Sequence, residues 1–154
     1  MNGRSVRGFT LIELLVVIAI IGILSAVVLA ALSTARNKGS YAAIQSDLSS
    51  VQTEAEIYYS GAGGNSYGGG DALGTCGVAG TMYILDTTIK SAIAAADSAN
   101  GSGNVYCGTN GTKSGYAVAV QLVSDNTKYW CVDSSGNAKQ EPSASMGAAV
   151  YTCP

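Results

Sequence analysis

The side chains able to do covalent or acid–base chemistry are few in this chain, and their types narrow its repertoire. There is no histidine in 154 residues, which removes the commonest general base and the commonest zinc and copper ligand together. The serines and thiols are therefore left without a base to activate them as nucleophiles. Four cysteines, Cys76, Cys107, Cys131 and Cys153, are widely spaced and include no C-x-x-C pair of the kind that marks metal or redox work. An even number in a small exported region reads as two disulfides. Three pairings are open, of which Cys76 with Cys107 and Cys131 with Cys153 is preferred because sequence neighbours close the shorter loops. Asp125, Asp133 and Glu141 are the acids to weigh as oxygen ligands for a cation such as calcium. Three scattered acids make a poor cluster, and Asp125 and Asp133 read instead as turn caps that accept from the backbone. No metal, no cofactor and no catalytic residue is expected, so the chain is read as something other than an enzyme.

The carboxylate in the unusual place is Glu13. Residues 1–8, Met-Asn-Gly-Arg-Ser-Val-Arg-Gly, are polar and basic through Arg4 and Arg7, and every residue from 9 to 32 is then apolar or small except Glu13. At 1.5 Å per residue this run makes a helix of about 36 Å, enough to cross a hydrocarbon core of about 30 Å. A carboxylate inside such a run costs roughly 3 kcal/mol on insertion scales and usually marks function. No partner for it is evident within the run. A cut after Gly8 would create one, a free α-amine on Phe9 one helical turn before Glu13. Staggered side-by-side copies would then let Glu13 of one meet the amine of the next, which sets a register. Two plainer readings compete. Glu13 could snorkel to the headgroups at one end of a simple anchor. Alternatively, Ser33-Thr34-Ala35 fits a secretory cleavage site that would release a soluble chain starting at Arg36. Against the second, the apolar run far exceeds the roughly 7–15 residues of a usual signal core.

The run Gly8-Phe9-Thr10-Leu11-Ile12-Glu13, continuing Leu14-Leu15-Val16-Val17-Ile18-Ala19-Ile20-Ile21-Gly22-Ile23-Leu24, resembles the start of type IV pilins and type II secretion pseudopilins. The resemblance covers residues 4–35 and implies that a membrane prepilin peptidase cuts after Gly8 and methylates the new amine of Phe9, with Glu13 as the family's assembly glutamate. It also implies partners: copies of the chain and other pilins, the peptidase, the membrane and an inner-membrane assembly platform. The chain departs from many pilins in having no proline in residues 25–32. Trp130-Cys131-Val132-Asp133-Ser134-Ser135-Gly136 resembles a segment of some pilin-like heads, and a Cys131–Cys153 bridge would resemble the C-terminal disulfide loop of type IV pilins.

After residue 32 the sequence turns polar but keeps a helical rhythm, with Tyr41, Ile44, Leu48, Val51, Ala55 and Tyr58 on one face. Gly39 and the small polar residues of 33–40 suggest a bend between two portions of helix. Residues 61–70 hold six glycines and end the helix in a loop. Neither the Lys-Ser/Thr nor the strand–helix context of a phosphate-binding loop accompanies them. Residues 82–97 fit either a strand or a helix. Residues 116–123 alternate as a strand, 124–127 read as a turn, 128–133 as a second strand, 134–137 as a turn and 138–141 as a third. One face of that meander needs the apolar helix face as cover. The expected fold is α+β and pilin-like, a long N-terminal helix packed on a small antiparallel sheet. Its parts are a leader at 1–8, a transmembrane and assembly helix at 9–35, an amphipathic continuation at 36–60 and a disulfide-bonded, β-rich head at 61–154. Trp130 is read as a core or sheet-face aromatic.

Net charge is −2, with only 12% charged residues, so the basic stripe that phosphate-backbone binding requires is missing and no nucleic acid is expected as a partner of the subunit alone. Two function classes remain. One is a filament subunit, held in the cytoplasmic membrane before assembly and at the cell surface or in an extracytoplasmic filament after it. The other is a membrane-tethered or secreted binding domain, such as an adhesin, that does not polymerise.

Overall fold

The computed structural model describes residues 8–69, 72–74, 76–101, 104–123, 125–142 and 151–154. Leader residues 1–7, with Arg4 and Arg7, and the loop and turn residues Gly70 and Ser124 lie outside them. The elements are α1 (Leu11–Ser60), β1 (Ala72–Gly74), α2 (Met82–Leu85), α3 (Thr87–Asn100), β2 (Val105–Thr109), β3 (Tyr116–Leu122), β4 (Asp125–Asp133) and β5 (Ala138–Pro142). Two compact units divide the chain at Met1–Arg36 and Asn37–Pro154.

In the first unit the helix is a run of Leu, Ile, Val and Ala without proline, and its large side chains stay uncovered: Ile12 is 72% and Ile23 68% exposed. The helix is long and apolar enough to cross a membrane by length and composition. No break interrupts α1 at residues 33–40, where a bend was expected. A lone Gly39 lowers helix propensity by about 1 kcal/mol but removes no backbone donor, as a proline would.

In the second unit, the residues from 37 onward bury one stripe of α1: Ile44, Leu48, Val51, Ala55 and Tyr58. The stripe covers a five-stranded antiparallel sheet in the order β1-β2-β3-β4-β5. Strand β3 is central and buried on both sides because its alternation serves two cores. Tyr116, Val118, Val120 and Leu122 join the α1 stripe together with Ile89, Ile93 and Ala96 of α3. Ala117 and Ala119 pack with Tyr129, Cys131 and Cys153 in a second cluster. Burial of a side chain such as Leu48, with no exposed surface, contributes about 2–3 kcal/mol. Trp130, half-buried, meets the edge of Tyr41 at 5.8 Å between ring centroids, and Gln52 Nε2 donates to the Asp133 carbonyl at 3.0 Å. The buried Tyr83 hydroxyl lies 2.8 Å from the Gly108 carbonyl and donates to it.

One open reading is settled here and two expectations change. Residues 82–97, which fitted a strand or a helix, form α2 and the start of α3 on either side of the extended Asp86: Asp86 caps α3, its Oδ1 accepting from Thr88 N at 2.8 Å and Ile89 N at 2.9 Å, and Gly101, at φ 85°, ends it in the left-handed region that glycine favours. The sheet gains β1 and β2 ahead of the expected meander, with Cys107 of β2 paired to Val118 of β3. Residues 125–127, read as turn, belong to β4. Asp125 still bonds locally, accepting from Thr127 N at 3.0 Å. The mismatch is taken up by a register shift between Gln121 and Leu122, so that Leu122 pairs with Asp125.

Candidate functional site

At the start of α1, Thr10 directly precedes the first helical residue, Leu11. The backbone N–H of Thr10 donates to Glu13 Oε2 at 2.8 Å and its hydroxyl donates to the same oxygen at 2.9 Å. Glu13 N reaches back to Thr10 Oγ1 at 3.3 Å. This is a reciprocal capping box: Thr at the N-cap and Glu three residues on, each satisfying a backbone donor that the first helical turn leaves open. Inside hydrocarbon, where water cannot serve those donors, the arrangement matters more than it would at a protein surface. Glu13 was expected to have no partner before a cut. It has one in Thr10, because a threonine hydroxyl and its amide lie within reach of a carboxylate three residues later. The signal was present as Thr-x-x-Glu at residues 10–13.

Both bonds to the carboxylate use Oε2, and Oε1 accepts from no donor among the described residues. The peptide bond between Gly8 and Phe9 lies just upstream. Phe9 is 86% exposed, and its nitrogen is one residue from the amide that Glu13 already holds. A carboxylate so placed can receive a new charged amine, from its own chain or from a neighbour, through its second oxygen.

The remaining candidate residues lie in the second unit. Disulfides join Cys76 to Cys107, with Cα atoms 4.9 Å apart, and Cys131 to Cys153, at 5.8 Å. Asp133 is fully buried and saturated. Its Oδ1 accepts from Ser135 N at 2.9 Å and Asn137 N at 3.0 Å, its Oδ2 from Asn137 Nδ2 at 2.8 Å and Cys153 N at 2.7 Å. Asp125 pairs with Lys128 at 3.1 Å, and hydrogen bonds from Thr127 hold its carboxyl below the usual range. Glu141 pairs with Lys139 at 3.0 Å. The three acids weighed as cation ligands are thus each engaged by protein donors, and the described residues bring no three candidate ligands together.

Residues 3–29 match the family model described as the prokaryotic N-terminal methylation motif, the prepilin signal of type IV pilins and pseudopilins. The match takes in Gly8, Phe9, Thr10 and Glu13 and stops within the apolar helix. No curated protein and no solved structure matches the chain. The motif supports a type IV pilin-like or pseudopilin protein, implies self-assembly and prepilin peptidase processing, and accords with a membrane-anchored precursor.

Proposed function

We propose that this chain, which carries the prepilin signal at residues 3–29, is a structural subunit of a type IV pilus or related filament. The precursor sits in the cytoplasmic membrane through residues 9–35. Prepilin peptidase removes residues 1–8 and methylates Phe9, and an inner-membrane assembly platform adds the subunit to copies of itself and to other pilins in an extracytoplasmic filament. Glu13 then pairs with the Phe9 amine of a neighbour. The single observation that carries this reading is an apolar, uncovered run over residues 9–32 whose lone carboxylate, Glu13, sits one turn beyond the cleavage motif with one oxygen not engaged among the described residues. An anchor alone has no use for a charge there, since burial in hydrocarbon disfavours it. The variant Glu13→Val, which removes the charge, tests the pairing. It should be processed and inserted as the wild type is, yet give no filaments in electron microscopy of sheared surface material. Normal filaments from Glu13→Val would defeat the pairing.

A further inference from the structure

Beyond assembly, the head contains a concave site that the filament reading leaves without a role. A cavity of about 370 Å³ opens among α2, α3 and β2, lined by Tyr83, Ile84, Ile93, Ala94 and Val105, beside the Cys76–Cys107 bridge, with Lys90 and Asp97 also on its wall. The wall is mostly apolar, and the volume lies at the small end of ligand sites. One of its few polar atoms is Asp97 Oδ1, which is buried and accepts from no protein donor among the described residues. A buried acceptor left unmade is costly, so it favours a ligand that brings an N–H to it. Lys90 stands seven residues earlier on α3, about 10 Å along the helix axis at 1.5 Å per residue. No ion pair joins Lys90 to Asp97 among the described residues, and Ile93 and Ala94 lie between them on the same wall.

We infer that this cavity binds a short apolar peptide with free ends, its amine on Asp97, its carboxylate on Lys90 and its side chains against Ile84, Ile93 and Val105. An extended chain spans at most about 3.3–3.6 Å per residue, so two or three residues match the roughly 10 Å of helix between positions 90 and 97. A cation alone would meet one carboxylate, too few oxygens to hold it. An uncharged apolar ligand would leave Asp97 Oδ1 as it is. The inference does not rest on polymerisation, and either can fail without the other.

The test uses the full chain in detergent micelles, with leucyl-leucine and leucyl-leucyl-leucine titrated while the methyl resonances of Ile84, Ile93 and Ala94 are followed. Saturable shifts are expected with at least one of the two. Asp97→Asn, and separately N-acetylation of the peptide, should each weaken binding about tenfold or more, as loss of a charge-assisted hydrogen bond does. Together they should weaken it little further, because they remove the same contact. Lys90→Gln and C-terminal amidation should behave as a second such pair. The blocked peptides probe these contacts on the unaltered protein, so a variant that folds poorly does not decide the matter. Absence of any saturable shift at millimolar peptide, or equal binding of the doubly blocked peptide, would overturn the inference.

Discussion

The residues around Leu14 and those around Leu48 belong to the same helix, yet they depend on opposite surroundings. Leu14 is 60% exposed in the single chain, as are its large neighbours to comparable degrees, whereas Leu48 has no exposed surface. From Leu11 to Leu32 the first unit satisfies its backbone within the helix and leaves its large side chains uncovered, as suits a helix long and apolar enough to cross a membrane. The second carries its own core, with two clusters on the two faces of β3 and two disulfides. The difference teaches that hydrophobicity alone does not divide the chain. What divides it is whether polar residues interleave the apolar ones: they do from Tyr41 onward, and between Phe9 and Leu32 they reduce to Thr10, Glu13 and Ser25.

The comparison can be broken most sharply at the processing site. Intact-mass analysis of the wild type should give a chain beginning at methylated Phe9, and Gly8→Arg should leave the mass of the uncut chain. A wild-type start at Arg36, or an unchanged mature mass in Gly8→Arg, would refute the assignment of the first unit as a retained assembly helix. Next in size, Leu48→Ala should destabilise the head by about 2–5 kcal/mol through lost burial and a cavity. Leu14→Ala should leave head stability within about 0.5 kcal/mol. Guanidinium unfolding in micelles, followed through the single tryptophan, Trp130, separates the two. Equal effects would erase the distinction.

A smaller, pH-dependent effect belongs to the head alone. Burial pushes the Tyr83 and Tyr116 hydroxyls well above the ordinary tyrosine range, and the charges of Glu56 and Asp133 add to this at Tyr116. The folded state therefore holds protons that the unfolded chain gives up above about pH 10. Stability from this source is complete below that pH and falls as pH rises beyond it, by about 1 kcal/mol per pH unit for each tyrosine. Denaturation midpoints between pH 8 and 11.5 should show the loss, and Tyr116→Phe should reduce it. Since the Tyr116 hydroxyl is buried without a hydrogen-bond partner among the described residues, that variant should retain wild-type stability at pH 8. Smallest of all, Thr10→Val removes the cap at the start of α1 and should cost about 1 kcal/mol locally. Amide exchange at Glu13 should speed up about fivefold while the head amides keep their protection. Faster exchange throughout the head would show the two units to be coupled.

Much of this architecture is written in periodicity. Three- and four-residue steps from Tyr41 to Tyr58 mark the buried stripe, and the alternation in residues 116–122 marks β3. Other elements left weaker traces. The sequence of β2, Val-Tyr-Cys-Gly-Thr, has Gly108 in its interior and three successive buried residues, so no alternation marks it. Helix α3 hid behind alanines and isoleucines that suit either state, although Asp86 ahead of Thr87 and Thr88, with Gly101 beyond the far end, carries start and stop signals. At the site, the cleavage motif and Glu13 stand out because a charge in an apolar run is rare. Thr10 did not, because a single hydroxyl there is ordinary until its spacing to Glu13 is read as a cap. The pocket residues Lys90 and Asp97 are brought to one wall by helix geometry, with nothing in their local sequence to mark them.

The two disulfides also bear on how the head responds to pulling. They enclose segments with sequence separations of 31 and 22 residues. A force applied between the helix and the last residues can straighten the chain outside these loops but not the chain within them. At about 3.5 Å per extended residue, the bridges withhold roughly 190 Å of contour. A head drawn out of shape under load is thus a shorter, stiffer tether with its bridges intact than with them reduced.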